Sequence, residues 1–187
     1  MTTFREYRVP IIVGATLAAG LLLLVASHSQ WHFRPSEDLG QEVLDTLRIL
    51  GHKALAGNDV PVAAVILYAG EIIGEGRNTV QQDRSAGGHA EIEAISDAFK
   101  RIGFDRFGSL DRDSLVMVST FEPCLMCRGA MLEYNIKRTV FLKGKPVLLW
   151  LREDLRTLRY YWARKQGGPP SLQDSLFQKH PLYPQEN

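Results

Sequence analysis

Two short motifs restrict this chain more than any other feature: His89-Ala90-Glu91, and Pro123-Cys124-Leu125-Met126-Cys127. Each opens a segment with helical character. His89 to Ile102 carries an apolar stripe of Ile92, Ile95 and Phe99 at helical spacing. Pro123 is expected at the first helical position, where its missing N–H costs nothing. That helix carries Cys124, Cys127, Ala130 and Met131 and ends near Tyr134-Asn135. Cys124 and Cys127 stand at i and i+3 and so share one helix face. A fold that uses both motifs must bring two helix starts to one point.

The residue types say what that point is for. The chain has only two cysteines, too few and too close for a disulfide framework. A C-x-x-C pair is either a redox pair or half of a metal site. No thioredoxin-like context surrounds this one, and a histidine lies upstream, so metal is favoured. Catalytic zinc keeps three protein ligands and one open position, and His89, Cys124 and Cys127 supply three. A centre with two thiolates is rich in negative charge. The positive ends of two helix dipoles stabilise that charge and lower thiol pKa values. Glu91, two residues after His89, is placed to carry a proton beside the metal.

The remaining elements alternate. Ser36 can cap a helix running to Gly57-Asn58, with Leu39, Val43, Leu47, Leu50 and Ala54 on its apolar face. Val62 to Tyr68 is a continuous apolar run, as in a strand buried on both faces. Ala69-Gly70 turns the chain into Glu71 to Gly76, the second strand of a hairpin. A polar loop spans 77–88, and another spans 103–113. Leu115 to Ser119 and Thr139 to Leu142 are further strands. The order is helix, hairpin, helix, strand, helix, strand, which implies a layered α/β sandwich with a mixed sheet. Val147 to Gln166 reads as a long helix with Leu151, Leu155, Leu158 and Trp162 on its apolar stripe and Arg152, Arg156 and Arg159 on the flank. The arginines suit phosphate contact, lipid headgroups or a solvated face. The apolar tail residues Leu172, Leu176, Phe177, Leu182 and Tyr183 suit docking on the body or on a partner.

Upstream, Val9 to Ser27 is uncharged over nineteen residues, close to the roughly 20 that span a bilayer. A membrane anchor is expected here. The same stretch, with Arg5 and Arg8 before it, also fits a cleaved signal peptide. Charge bias weakly favours a cytoplasmic N-terminus, whereas thiolate ligands suit the cytosol, so the side of the membrane stays open.

H-x-E followed by P-C-x-x-C is the signature of zinc-dependent nucleobase deaminases. The chain resembles the cytidine and deoxycytidylate deaminase superfamily from about Val60 to Leu142. It is most similar to the branch of tRNA adenosine deaminases and guanine deaminases. Gly74-Glu75-Gly76-Arg77-Asn78, His89-Ala90-Glu91 and Thr120-Phe121-Glu122-Pro123-Cys124 carry the likeness in order. The resemblance implies a three-layer α/β/α sandwich, zinc on His89, Cys124 and Cys127, Glu91 as general acid/base, and Asn78 as a substrate contact. It also implies hydrolytic deamination of a purine-type base, free or in tRNA: Glu91 relays protons, ammonia departs and a carbonyl remains.

On this reading residues 1–35 are anchor and linker, 36–145 the deaminase core, and 146–187 a C-terminal helix and tail. The expected partners are a nucleobase, nucleoside or tRNA substrate, a membrane through residues 9–27, and a second copy in a homodimer. The other role open to the same residues is non-catalytic, a zinc-stabilised membrane protein that binds a nucleobase or a protein.

Overall fold

The computed structural model describes residues 14, 16–20, 22–23, 38–165, 167 and 170–179. The chain divides into two compact units, Met1–Thr46 and Leu47–Asn187. Of the expected membrane segment, residues 14, 16–20 and 22–23 are helical, and the rest lies outside the described residues. Among the described residues no helix is long and apolar enough to cross a membrane.

Helix α1 (Gly40–Ala56) ends in the Gly57-Asn58 turn, with Asn58 at φ 60°. Ser36, the expected cap, lies outside the described residues. Strands β1 (Ala63–Tyr68) and β2 (Glu71–Arg77) form the expected hairpin. Helix α2 (Ala90–Ile102) follows, then a short helix α3 (Phe104–Ser109). The expectation of a plain loop over 103–113 is therefore corrected. Phe107 buries its ring beside Phe99 at a centroid distance of 4.5 Å, and that anchor organises the segment into a turn of helix. Strand β3 (Leu115–Phe121), helix α4 (Leu125–Glu133), strand β4 (Arg138–Lys143), helix α5 (Val147–Ala163) and helix α6 (Pro170–Phe177) complete the order.

The four strands lie in the order β2-β1-β3-β4. β1 pairs antiparallel with both neighbours, while β3 and β4 run parallel through α4. The sheet is mixed, as expected. Ala64, Ile66, Leu115 and Met117 face the cluster that includes Ala90, Ala94, Ile95 and Ala98 of α2. The alternate residues Ala63, Val65, Leu67, Val116 and Val118 are buried too. Because side chains alternate along a strand, both faces of the sheet are covered, and β1 is apolar throughout for that reason.

Register decides what meets at one end of the sheet. Ala63 pairs with Arg77, and Ala64 with Ser119. Asn78, the start of β1 and the end of β3 therefore share an edge, tied further by the Ala63 N–H donating to Thr120 Oγ1 at 3.0 Å. In open α/β sheets ligands sit beyond the carboxyl ends of strands, and β3 leads from this edge directly to Cys124.

The long helix leaves its apolar stripe exposed. No residue of α5 is buried. Leu151, Leu155, Leu158 and Trp162 stand 47%, 57%, 51% and 82% exposed. A different side of α5, carrying Glu153, reaches toward α4.

Candidate active site

Each ligand motif sits where its local backbone leaves helix geometry. His89 is the N-cap of α2 and Cys124 the N-cap of α4, both extended (ψ 143° and 174°). Pro123 therefore precedes the helix instead of occupying its first position. The Cys124 carbonyl takes the first helical bond, from Arg128 N–H at 2.8 Å, so the cysteine itself begins the turn. Cys127 lies one turn on and is fully buried.

His89 Nδ1 lies 3.7 Å from Cys124 Sγ and 3.6 Å from Cys127 Sγ, and the two sulfurs are 3.6 Å apart. Zinc bonds of about 2.3 Å to sulfur and 2.0–2.1 Å to nitrogen, at tetrahedral angles, imply edges of about 3.8 Å for S–S and about 3.6 Å for N–S. The three donors thus already have the separations of a tetrahedral zinc site, and they form the one such group found among the described residues.

As thiols the pair is electrostatically unequal. The hydrogen bond with Cys127 draws the Cys124 thiol down to about 5, a shift that burial opposes. The same contact, burial and the Glu91 carboxylate push Cys127 far above the ordinary thiol range. Zinc binding needs both as thiolates.

Glu91 is buried on the first turn of α2. Its Oε2 lies 3.3 Å from Cys127 Sγ, and its Oε1 lies 3.2 Å from Ser119 Oγ. Ser119 also stands 3.4 Å from the Ala63 carbonyl, so one hydroxyl hydrogen faces two acceptors. His89 and Glu91 thus flank a pocket of about 380 Å³, at the small end of ligand sites. Val60, Val62, Val80, Phe121 and Leu149 contribute apolar walls, and Asn78, Cys124 and Glu153 also line it.

Asn78 reaches this pocket while doing a second task. Its Oδ1 accepts the Val80 N–H at 3.0 Å, a turn closed by an asparagine side chain. Its amide donor is the half not used by that turn. The loop beyond is held by Asp59, whose carboxylate accepts the N–H groups of Gln81 (2.7 Å) and Gln82 (3.1 Å).

The structure brings together all five residues picked out in the sequence: Asn78, His89, Glu91, Cys124 and Cys127. Sequence reasoning missed Ser119, Asp59, Lys145 and Glu153. Ser119 sits in an apolar strand run, where an isolated serine was the available signal. Lys145 and Glu153 looked like ordinary charged residues near a helix start.

A Cys₂His donor set with a buried carboxylate beside it, both reached from helix starts at one edge of a mixed sheet, has the make-up of a zinc-binding site. Residues 40–143 match the cytidine and deoxycytidylate deaminase zinc-binding region, more than half of the chain, and the chain belongs to that family. It is 39% identical over 123 residues to a tRNA(Ile)-lysidine synthase of Deinococcus radiodurans, covering 64% of this chain and 20% of that one. It is 32% identical over 93 residues to tRNA-specific adenosine deaminase 2 of Xenopus laevis, covering 49% and 53%. The solved guanine deaminase of Bacillus subtilis superposes with a TM-score of 0.56 at 25% identity, covering 74% of this chain and 92% of that one. The matches thus span from a fifth to about half the length of these two curated relatives.

Proposed function

We propose that this protein is a zinc-dependent hydrolytic deaminase acting on a purine-type base. The observation that carries the reading is the buried Glu91 carboxylate, 3.3 Å from Cys127 Sγ at the wall of the pocket. A carboxylate buried beside a metal donor set, with one oxygen steadied by Ser119, suits proton transfer better than structural support. Zinc held by His89, Cys124 and Cys127 supplies the Lewis acidity that makes water nucleophilic near neutral pH. Glu91 takes one proton from the attacking water and passes it to the ring nitrogen, then takes the second from the hydroxyl now bound to carbon and passes it to the leaving amine. One water is consumed, the C–N bond breaks, a carbonyl forms and ammonia leaves. The apolar walls receive the flat faces of a heteroaromatic ring, and the Asn78 amide donates to an acceptor on its edge. Relatives named for tRNA adenosine and a structural neighbour named for guanine support a purine-type base.

The decisive experiment is ammonia release by the zinc-loaded protein from guanine, adenosine, cytidine and tRNA in parallel. Turnover on a purine substrate is expected. Full zinc loading with no turnover on any of the four would sink the reading.

Residues 9–27 are proposed to tether the protein to a membrane, on the strength of their uncharged length. Recovery of the full chain in the membrane fraction after high-pH carbonate washing is the expected result. Release by that wash would overturn the tether.

A further inference from the structure

Lys145 is a buried cation to which the proposed reaction gives no task. It is 6% exposed, the one lysine among the buried residues described. Burying an ammonium is costly unless it is paired and hydrogen-bonded, so its partners matter. Nζ donates to the Pro123 carbonyl at 2.9 Å and reaches Glu153 Oε1 and Oε2 at 2.8 and 2.9 Å. An ammonium has three hydrogens, and here three acceptors surround it. The Lys145 backbone N–H donates to Glu122 Oε2 at 2.8 Å. Arg128 of α4 reaches the same Glu153 carboxylate at 3.1 Å.

Three pieces of chain thus meet at the Lys145–Glu153 pair: Pro123 at the ammonium, α4 through Arg128 at the carboxylate, and α5, which carries Glu153. The Pro123 carbonyl and the Cys124 nitrogen belong to one planar peptide. Holding that oxygen restricts the backbone from which the Cys124 side chain leaves. On the other side, α5 buries no residue of its own, yet it supplies Leu149 and Glu153 to the pocket wall. Glu153 is where that wall is fastened.

We propose that Lys145 and Glu153 are a positioning pair that fixes Cys124 for metal binding and clamps α5 as one wall of the pocket. The clamp rests on the proposed zinc-dependent reaction for its purpose, but it makes its own prediction about the metal. Groups supporting metal ligands typically contribute about 10–100-fold in metal affinity or activity when removed.

The test uses the full chain and measures zinc affinity by competition with a chromophoric chelator. Lys145→Met alone would leave the Glu153 charge short of a partner and could unfold the protein. The double variant Lys145→Met/Glu153→Leu removes the buried pair together, an exchange that buried ion pairs often tolerate, and leaves Arg128, whose side chain is 34% exposed, to be solvated. The folded double variant is expected to bind zinc about 10–100-fold more weakly and to raise KM for whichever substrate is turned over. Lys145→Arg, which keeps the charge and a donor, is expected to retain most of the zinc affinity. Parental zinc affinity in the folded double variant overturns the proposal. So does failure of the double variant to fold, which would assign the pair to the fold instead of the site. So does an equal loss in Lys145→Arg, which would show that the pair contributes bulk and not a hydrogen bond. Because the primary readout is metal affinity, absence of deaminase turnover would refute the functional reading while leaving this clamp open to measurement.

Discussion

Gly76 of β2 lies directly against the first turn of α2, so that a methyl group at its Cα would run into the Ala90 carbonyl oxygen. Gly74 stands in the same relation to Ala94 and Ala98. Glycines in a strand commonly mark such close approach. Here they set how near α2 comes to the sheet, and α2 carries His89 and Glu91 at its start. Gly76→Ala should force the helix outward and cost about 1–3 kcal/mol, the usual penalty of overpacking. Thermal denaturation should record a fall of several degrees, together with reduced zinc occupancy. Gly108→Ala, where a Cβ meets nothing within 4 Å, should leave both unchanged.

Glu91→Gln keeps the shape and one acceptor but cannot carry a proton. Turnover should fall by about 10²–10⁴-fold, the range attributed to general acid–base groups. Zinc content, measured by metal analysis, should stay near one per chain. Loss of zinc along with activity would make Glu91 a supporter of the metal site.

Ser119→Ala deletes the hydroxyl 3.2 Å from Glu91 Oε1. Hydrogen bonds to charged groups contribute about 1.5–3 kcal/mol, so kcat should fall about tenfold or more while KM changes little. Steady-state kinetics separate the two. A rise in KM alone would move Ser119 from Glu91 to the substrate.

Asn78→Asp tests the two tasks of that side chain separately. The carboxylate still accepts the Val80 N–H that Oδ1 now holds at 3.0 Å, but it can donate nothing to a base. The melting temperature should stay within a few degrees of the parent, and KM should rise by about tenfold, the loss of one neutral hydrogen bond. An unchanged KM would reduce Asn78 to its turn.

The local part of this protein was legible in its residues. Periodicity located the strands and the helices that carry the site, because burial of one face imposes spacing on neighbouring positions. The i, i+3 pair of Cys124 and Cys127 fixes half of a ligand triangle through helix geometry alone. The H-x-E and P-C-x-x-C motifs marked the metal donor set, since few sets combine one imidazole, two thiolates and a spare carboxylate.

What periodicity cannot carry is partnership across the fold. Ser119 meets Glu91 from 28 positions away, and Lys145 meets Pro123 from 22. Neither pairing follows a repeat, and a buried lysine reads in sequence like any solvated one. The same holds for the apolar stripe of α5: its spacing announces a helix, but only packing revealed that Glu153, on a different side, makes the attachment while the stripe stays exposed. Sequence determined the chemical groups and the elements that bear them, because those depend on neighbours along the chain. Tertiary structure decided which groups touch, because register, close glycine contacts and buried charge pairing are set by residues far apart in sequence.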